Sequence, residues 1–392
     1  MSLDHAGTDY AADVEVGVID AALTVLPSGY GVQTPQNTPF TATSVSLRAT
    51  TTTLGLFATD TLDITPHLAV TASGRYNQVR IALTDRLGGQ LNGRSRYARF
   101  NPALGVTYQW SPAVTVYAGY AEGSRTPSPS EIECSNPAVP CLLPSSLASD
   151  PPTLRQVTAR TWEAGLRGAL PWRGPAGGAL TWSVGAFRAR LGDDIYAVAT
   201  ALGAGYFQNI GATQRRGIEL SLRYQARVAT VFANYSRVDA SFASAFALPS
   251  PSNPFGDANG VIRVRPGDRL PGLPRDRLKV GVDVAPRRGW SVGGTVAWVG
   301  GQIYRGDEAN RLAPLSGYAV VGLHTAVAVT PKASLFFNVA NALNARYATF
   351  GILGDPSGVG APGVPSEPAR VHPRFQSPAA PRAWTGGLKL KF

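Results

Sequence analysis

The sequence predicts an all-β fold: an antiparallel transmembrane β-barrel of about fourteen strands, with long extracellular loops and short periplasmic turns. Three observations support this prediction. Apolar and polar residues alternate with a period of two along many segments, and many of these segments exceed the usual strand length. The connections between the segments alternate between short turns and long loops.

The hydropathy of the chain excludes a transmembrane helix and leaves a membrane barrel possible. The sequence has no apolar run of about 18 residues, the length that a spanning helix requires. Barrel strands are apolar on one face only, so they do not raise the mean hydropathy. The 43 glycines and 31 prolines also favour strands and turns over helices.

The alternation is clearest in residues 278–284, 218–225 and 384–392. Successive side chains of a strand point to opposite faces, so each segment has one apolar and one polar face. The residues expected to face lipid are Leu220, Leu222, Val280, Val282, Leu388 and Leu390. Those expected to face the lumen are Glu219, Arg223, Lys279, Asp283, Lys389 and Lys391.

Fourteen segments match the strand template. They are residues 10–20, 43–62, 67–83, 97–110, 113–123, 158–170, 179–192, 213–225, 228–240, 275–285, 290–303, 316–329, 333–344 and 382–392. Strands of soluble proteins most often have about 5–6 residues, whereas a tilted membrane strand needs about 9–11. A soluble β-sandwich is therefore disfavoured.

The connections divide into two classes. Short turns are predicted at 63–66, 111–112, 171–178, 226–227, 286–289 and 330–332. Long loops rich in proline and glycine are predicted at 84–96, 124–157, 193–212, 241–274, 304–315 and 345–381. This alternation is typical of outer-membrane barrels, and it places the carboxyl terminus on the short-turn side.

The net charge of +11 comes mainly from arginine. Either the composition of the genome or a function of the protein could account for it. The arginines are scattered over strands and loops, without a basic helix or an aromatic RNA-binding motif. We therefore do not expect a nucleic acid as a partner.

The two cysteines, Cys134 and Cys141, lie in a proline-rich segment. A short disulfide loop is the simplest interpretation, and it implies an oxidising compartment. Two free thiols are the alternative. Neither cysteine has histidine or cysteine neighbours at metal-ligand spacing, so we expect no metal site there.

Residues 1–25 lack the basic start and the compact apolar core of a secretory signal. Because an outer-membrane protein must be exported, we expect the chain to be a fragment, with residues 1–392 forming part of one barrel domain. No second domain and no linker are predicted.

Five segments, in this order, resemble the TonB-dependent receptors: residues 51–70 (TTTLGLFATDTLDITPHLAV), 114–131 (VTVYAGYAEGSRTPSPSE), 208–222 (QNIGATQRRGIELSL), 338–351 (NVANALNARYATFG) and 382–392 (RAWTGGLKLKF). The resemblance covers essentially the whole chain. It implies a barrel of about 22 strands whose lumen is filled by an amino-terminal plug domain. In the family the plug carries the segment that TonB grips, and we expect no plug domain within residues 1–392.

The resemblance implies a receptor in the outer membrane of Gram-negative bacteria. Such a receptor binds and imports a siderophore-like metal chelate or a similar nutrient, with energy supplied through TonB. Import requires no covalent chemistry, so we expect neither an enzyme nor a cofactor. A self-contained, porin-like diffusion channel is the alternative, and a barrel-borne enzyme or adhesin lacks a catalytic cluster or a passenger domain.

Arginines of the predicted extracellular loops are the candidate ligand-binding residues, because the guanidinium group binds carboxylate-rich anions with two parallel hydrogen bonds. They are Arg86, Arg94, Arg96, Arg125, Arg155, Arg305 and Arg311. For each of them, contact with lipopolysaccharide phosphates outside the barrel is an equal alternative.

The carboxylate pairs Asp193–Asp194 and Asp307–Glu308 are interpreted as solvated loop charges. Functional acids or cation ligands are the alternative. The four histidines lie far apart in the sequence, without a serine or cysteine nucleophile motif, so a hydrolase triad has no support.

The last segment ends in Phe392, with Trp384, Leu388 and Leu390 at alternate positions before it. This pattern resembles the assembly signal that the outer-membrane insertion machinery reads. An unpaired terminal strand offers its backbone groups for strand addition, and alternate side chains fill pockets of the receiving protein. Alternatively, Phe392 belongs to the girdle of aromatic residues that outer-membrane barrels place at the membrane interface.

Overall fold

A computed structural model describes residues 1–14, 18–19, 25–26, 43–88, 92–137, 141–142, 154–171, 177–199, 204–354 and 373–391. Almost all regular structure in these residues is β-strand. One short helix, α1 (Pro129–Glu133), lies in a loop, with Ser128 as its N-cap. Within the described residues, no helix has the length and apolar character needed to cross a membrane.

Fourteen strands form one antiparallel sheet. They are β1 (Ser2–Val14), β2 (Thr43–Thr65), β3 (Leu68–Asp85), β4 (Gly93–Ser111), β5 (Val114–Arg125), β6 (Val157–Pro171), β7 (Ala179–Gly192), β8 (Thr213–Gln225), β9 (Ala229–Phe242), β10 (Asp276–Arg287), β11 (Trp290–Val299), β12 (Tyr318–Thr330), β13 (Ala333–Ala340) and β14 (Ala383–Leu390).

The order of the strands in the sheet is their order in the sequence, so each strand pairs with the one before it and the one after it. The sheet is open: among the described strands, β1 pairs only with β2, and β14 pairs only with β13. The predicted fold class is confirmed. The open sheet is consistent with part of a larger barrel.

Thirteen predicted strands agree with the structure to within a few residues, but the first is placed wrongly. It was expected at residues 10–20 and lies at Ser2–Val14, where it pairs with residues 43–55 of β2. The reason is that β1 has little apolar alternation. Its partner segment includes the threonine run Thr50–Thr53, and the backbone ladder sets the pairing.

The connections have two sides, as the sequence predicts. On the turn side, β2–β3 and β4–β5 are joined by two residues each. On the loop side, the described parts of the long connections contain further strands, including hairpin Phe246–Pro249 with Val261–Val264 and strand Ile195–Ala199 with Ala204–Asn209. The sequence did not predict these loop strands, because they are short and lie among prolines and glycines.

Residues directly opposite in neighbouring strands share a face, so the register divides the sheet into two faces. One row runs Leu222–Ala233–Val280–Val296 across β8 to β11. We call this side the apolar face. A parallel row on the other side runs Ser221–Asn234–Lys279, and we call this side the polar face.

The two sets of residues that the alternation separated lie on these opposite faces. Val282 is 43% exposed and Leu388 is 57% exposed, so the aliphatic set is not packed inside a closed core. That the apolar face meets lipid stays a prediction.

The loops pack on the polar face. In α1, Ile132 is buried in a cluster with Val79 and Ile81 of β3, and Tyr97 of β4 donates a hydrogen bond to the Leu154 carbonyl at 3.0 Å. Phe242, at the end of β9, centres a second cluster that includes residues of the loop strands. The loops therefore cover part of the polar face.

Candidate ligand site on the loop side

The loop between β11 and β12, residues 300–317, connects three other loops. Its Arg305 donates from Nη2 to the Ala197 carbonyl at 2.7 Å, and its backbone N–H donates to the Gly351 carbonyl at 2.9 Å. Ser250 donates from its hydroxyl to the Gly306 carbonyl at 2.7 Å. These contacts hold the loop side together as one packed layer.

Asp307 organises this loop from a buried position. Its side chain accepts the backbone N–H groups of Arg311 and Leu312, both at 2.9 Å. Asn310, in a left-handed conformation with φ 53°, accepts the Arg269 N–H at 2.7 Å and links the next loop. Burial raises the pKa of Asp307, and the two backbone N–H donors oppose that rise.

Glu308 is also buried. Its Oε1 accepts the Tyr196 hydroxyl at 2.8 Å and the Gly306 N–H at 3.1 Å. Burial, and then the negative charge of Glu308, raise the pKa of Tyr196 above its ordinary value. The interpretation of Asp307 and Glu308 as solvated loop charges is thus wrong: each is at most 2% exposed and shapes the loop.

The other carboxylate pair serves the base of a neighbouring loop. Asp193 forms an ion pair with Arg155 at 2.9 Å, and Asp194 accepts the Thr213 hydroxyl at 2.6 Å. These contacts hold the loop between β7 and β8. Within the described part of the chain, no group of three potential ligands is placed to bind a metal ion.

Beside this loop layer, an open cleft of about 560 Å³ contains three arginines: Arg263, Arg265 and Arg311. Arg263 and Arg265 lie on the hairpin between β9 and β10, where Ile262 and Val264 point into the core. Arg311 follows the Asp307 turn. The alternation of the hairpin and the turn at Asp307 therefore bring cations from two loops to one cleft.

Two aspartates of the cleft are occupied by backbone donors. Asp257 accepts the N–H groups of Asn259 and Val261 at 2.9 and 3.1 Å, and Asp268 accepts the Arg265 N–H at 2.7 Å. Neither carboxylate forms an ion pair with an arginine among the described residues.

The guanidinium groups of the cleft face solvent. Arg263 and Arg265 form no ion pair with any described residue, and Arg311 lies over the Phe255 ring, 5.0 Å from its centroid. Three arginines with free donors beside one aromatic ring suit a carboxylate-bearing anion with a flat or apolar part.

The structure does not bring the seven predicted arginines together. Arg311 lies in the cleft, whereas Arg305 packs inside the loop layer, over the Tyr196 ring at 5.5 Å. Three others are in ion pairs: Arg86 with Asp9 at 2.5 Å, Arg125 with Glu131 at 2.7 Å, and Arg155 with Asp193 at 2.9 Å.

Three of these arginines are in strands. Arg94 and Arg96 were expected in a loop and instead lie in β4, paired with Ala82 and Arg80. Arg125 is the last residue of β5. The expectation failed because β3 and β4 extend further toward the loop side than their apolar alternation does.

Sequence reasoning missed Arg263 and Arg265. The signal was present in the segment VIRVR, residues 261–265, which alternates aliphatic residues with arginines. It lies within residues 241–274, which are predicted to be an irregular loop, and five residues are too few for the alternation to stand out.

The predicted disulfide is supported in part. Cys134 is disulfide-bonded, and the only other cysteine of the chain is Cys141. The backbones of both lie against the same loop strand: the Cys134 carbonyl accepts the Phe207 N–H at 2.6 Å, and Cys141 pairs with Gly205.

Trp384, Leu388 and Leu390 of the predicted assembly signal lie in β14, opposite Val339, Leu335 and Ala333 of β13. These partners place Trp384 and Leu388 on the apolar face. Phe392 lies outside the described residues. The signal role itself stays a prediction.

Comparison with known proteins decides the family. A family model described as "TonB dependent receptor-like, beta-barrel" matches residues 3–342. The chain belongs to the TonB-dependent receptor family.

Solved structures with the same fold include a siderophore receptor and a ferric yersiniabactin uptake receptor. The siderophore receptor PiuA from Acinetobacter baumannii is 15% identical, with a TM-score of 0.66, and the match covers 100% of this chain and 52% of PiuA. The ferric yersiniabactin uptake receptor FyuA from Yersinia pestis is 16% identical, with a TM-score of 0.60, covering 89% of this chain and 47% of FyuA.

A copper transporter, OprC, is 14% identical, with a TM-score of 0.64, and the match covers 100% of this chain and 54% of OprC. At these identities the likeness shows the fold alone. The chain spans about half the length of these receptors.

Proposed function

We propose that this TonB-dependent receptor barrel belongs to an outer-membrane importer of a siderophore-like, anionic metal chelate, with energy supplied through TonB in the full-length protein. The observation that carries the proposal is the cleft of Arg263, Arg265 and Arg311 on the loop side. In the proposed orientation this side is extracellular, so the cleft is on the side from which a chelate in the medium arrives.

The electrostatics of the cleft support an anionic ligand. Three arginines and two aspartates, Asp257 and Asp268, line the cleft, and one oxygen of each aspartate accepts a backbone N–H, so the positive charges outnumber the negative ones. A mouth lined mainly by one sign of charge raises the local concentration of a ligand of the opposite sign. Phe255 adds a flat apolar surface on which a ring of the ligand can stack.

The open sheet argues against the alternative of a self-contained diffusion channel. A closed pore of fourteen strands requires β1 to pair with β14. Among the described residues, β1 pairs only with β2, and β14 pairs only with β13. An unsatisfied backbone edge in lipid costs several kcal/mol for each group. Strands beyond these fourteen are therefore expected to complete the barrel.

The test is binding of an anionic chelate, with ferric citrate as the probe, to the chain in detergent micelles. We expect Arg311→Gln and Arg263→Gln each to weaken binding about tenfold, because each removes one charge-assisted contact. The control is Arg288→Gln, which removes one positive charge from the turn between β10 and β11. Equal weakening in the control, or no binding by the unaltered chain, would overturn the proposal.

A further inference from the structure

A cluster of arginines lies on the apolar face, where the β-strand register places it close to the loop side. Arg188 of β7 is opposite Arg216 of β8, and Arg190 of β7 is opposite Arg160 of β6. We call these four residues the exterior arginine cluster. They share a face with Leu166, Val184 and Leu220, so they are on the outside of the sheet, away from the candidate ligand cleft.

The apolar band begins directly beneath the cluster. One row toward the turn side, the residues on the same face are Ala164, Ala186 and Ile218. The next row is Leu166, Val184 and Leu220. The cluster therefore stands at the boundary between the apolar band and the loops, which is the level of the headgroups in a bilayer.

Two of the four arginines lack an acidic partner. Arg216 forms an ion pair with Asp239 at 3.0 Å, and Arg160 lies 3.4 Å from Glu122. Arg188 and Arg190 are exposed and form no ion pair with any residue that the structure describes. Arg188 and Arg190 are therefore free to bind an anion from outside the protein.

A groove on the same face adjoins the cluster. Its volume is about 510 Å³, and its lining includes Leu104, Val106, Ala118, Tyr120, Trp162, Ala164, Ala186 and Arg188, all on the apolar face. The floor is a row of small side chains, Ala118, Ala164 and Ala186. Trp162 and Tyr120, with ring centroids 4.5 Å apart, form the wall beside Arg188.

From this arrangement we infer that the exterior arginine cluster and the groove bind lipopolysaccharide, with a lipid A phosphate on Arg188 and Arg190 and an acyl chain over the alanine floor. The guanidinium fork matches phosphate oxygens, and the groove matches a hydrocarbon chain in shape and polarity. The inference rests on the proposed outer-membrane placement, which puts the loop side in the outer leaflet.

A separate group of arginines lies on the same face, nearer the loop-side ends of β3 and β4. On β3 and β4, Arg80 lies opposite Arg96, and Arg94 is two residues away on the same face. For Arg94 and Arg96 the observation favours contact with lipid phosphates outside the barrel over contact with an imported ligand.

The experiment measures binding of bisphosphorylated lipid A to the 392-residue chain in nonionic detergent micelles, by native mass spectrometry. Phosphatidylethanolamine and inorganic phosphate are the comparison probes. We expect the chain to retain lipid A in preference to phosphatidylethanolamine and to bind inorganic phosphate at least tenfold more weakly, because free phosphate lacks the acyl chain. Equal retention of both lipids, or equal binding of free phosphate, would overturn the inference.

Substitutions separate the site from the net charge. Arg188→Gln with Arg190→Gln should lower lipid A affinity about tenfold. The matched control, Arg167→Gln with Arg223→Gln, removes the same charge from the polar face and should change it less than about twofold. An equal loss in both pairs would mean a response to net charge only and would sink the inference.

A third variant, Ala164→Trp, fills the groove without changing a charge. It should reduce lipid A retention and leave binding of ferric citrate unchanged. If the double arginine variant does not give a β-sheet circular dichroism spectrum, Ala164→Trp and the loss of lipid A affinity at raised ionic strength decide the question. If Ala164→Trp retains lipid A as well as the unaltered chain does, the groove does not bind the acyl chain.

The outcome is separable from that of the proposed function. The lipid A assay contains neither a metal chelate nor TonB. If Arg311→Gln binds ferric citrate as tightly as the unaltered chain and lipid A still binds, only the receptor proposal is overturned. If Arg311→Gln weakens binding of ferric citrate and the chain does not bind lipid A, only the lipid site is overturned.

Discussion

At the scale of single residues, the loop layer depends on polar groups that are buried and satisfied. Tyr196, Glu308 and Arg305 come from two loops and meet through one hydrogen bond at 2.8 Å and one ring contact at 5.5 Å. A buried polar group costs free energy when its partner is removed. These three residues therefore hold the two loops in one arrangement.

Replacing Tyr196 by Phe should weaken this arrangement. The change removes the hydroxyl that Glu308 accepts, and we expect the free energy of local opening to fall by about 1–3 kcal/mol. Hydrogen exchange of the Arg305 and Leu353 amides measures that opening. Tyr76→Phe is the control, because the Tyr76 hydroxyl makes no hydrogen bond to a described residue. Equal exchange in both variants would contradict the role given to Tyr196.

The same tyrosine predicts a pH dependence. The pKa of Tyr196 in the folded loop is raised above the ordinary value of 10.0, by burial and by Glu308. A group whose pKa is raised on folding contributes stability that is complete below the unfolded pKa and is lost as the pH rises above it. We expect opening of the loop layer to increase above about pH 10, and to increase less in Tyr196→Phe. The same pH response in both proteins would rule out Tyr196 as its source.

At the scale of elements, the two faces of each strand carry different chemistry. In β10, Val280 and Val282 align with aliphatic residues of β9 and β11, while Lys279 aligns with Asn234 on the other face. The backbone ladder is satisfied within the sheet, so the face that a side chain occupies decides the effect of a substitution.

Val282→Arg should destabilise the barrel by about 2–4 kcal/mol if the apolar face meets lipid near the bilayer midplane. Ser221→Arg places the same charge on the polar face and should cost less than about 1 kcal/mol. Denaturant unfolding of the chain from lipid vesicles measures both. A neutral Val282→Arg, or equal costs for the two variants, would mean that the apolar face does not meet lipid.

The terminal strand gives a kinetic prediction. Deleting Phe392 should slow insertion by the outer-membrane machinery and leave unfolded chain in the periplasm, because strand addition uses the last aromatic side chain as an anchor. Any barrel that forms should keep about the same stability. If Phe392 is only a girdle residue, an insertion assay of the full-length receptor will show an unchanged rate and a slightly lower stability.

At the scale of the whole molecule, the open sheet predicts an uneven stability. The outer edges of β1 and β14 lack a strand partner among the described residues, whereas β7 and β8 pair on both sides. In the isolated chain, amides of β1 and β14 should exchange faster with solvent than those of β7 and β8. Uniformly slow exchange in all four strands would indicate that β1 and β14 pair with each other and close the barrel.

The fold class and thirteen of the fourteen strands of the sheet can be predicted from the sequence alone. The reason is that a membrane strand needs about 9–11 residues with one apolar face, and a pattern of that length is legible without knowing the neighbours. The position of β1 was predicted wrongly because apolar and polar residues alternate poorly along it. Its position is set by pairing with β2.

The arrangement of the loops, in contrast, depends on contacts between residues that are distant in the sequence. The short strands Phe246–Pro249 and Val261–Val264 form because Leu248, Ile262 and Val264 are buried with Phe242, residues that are distant in the sequence. The same folding half-buries Arg305 between loops and exposes Arg311. Whether a loop arginine faces a ligand, a carboxylate or a lipid phosphate depends on contacts between separate loops and strands, and a period of two cannot encode those contacts.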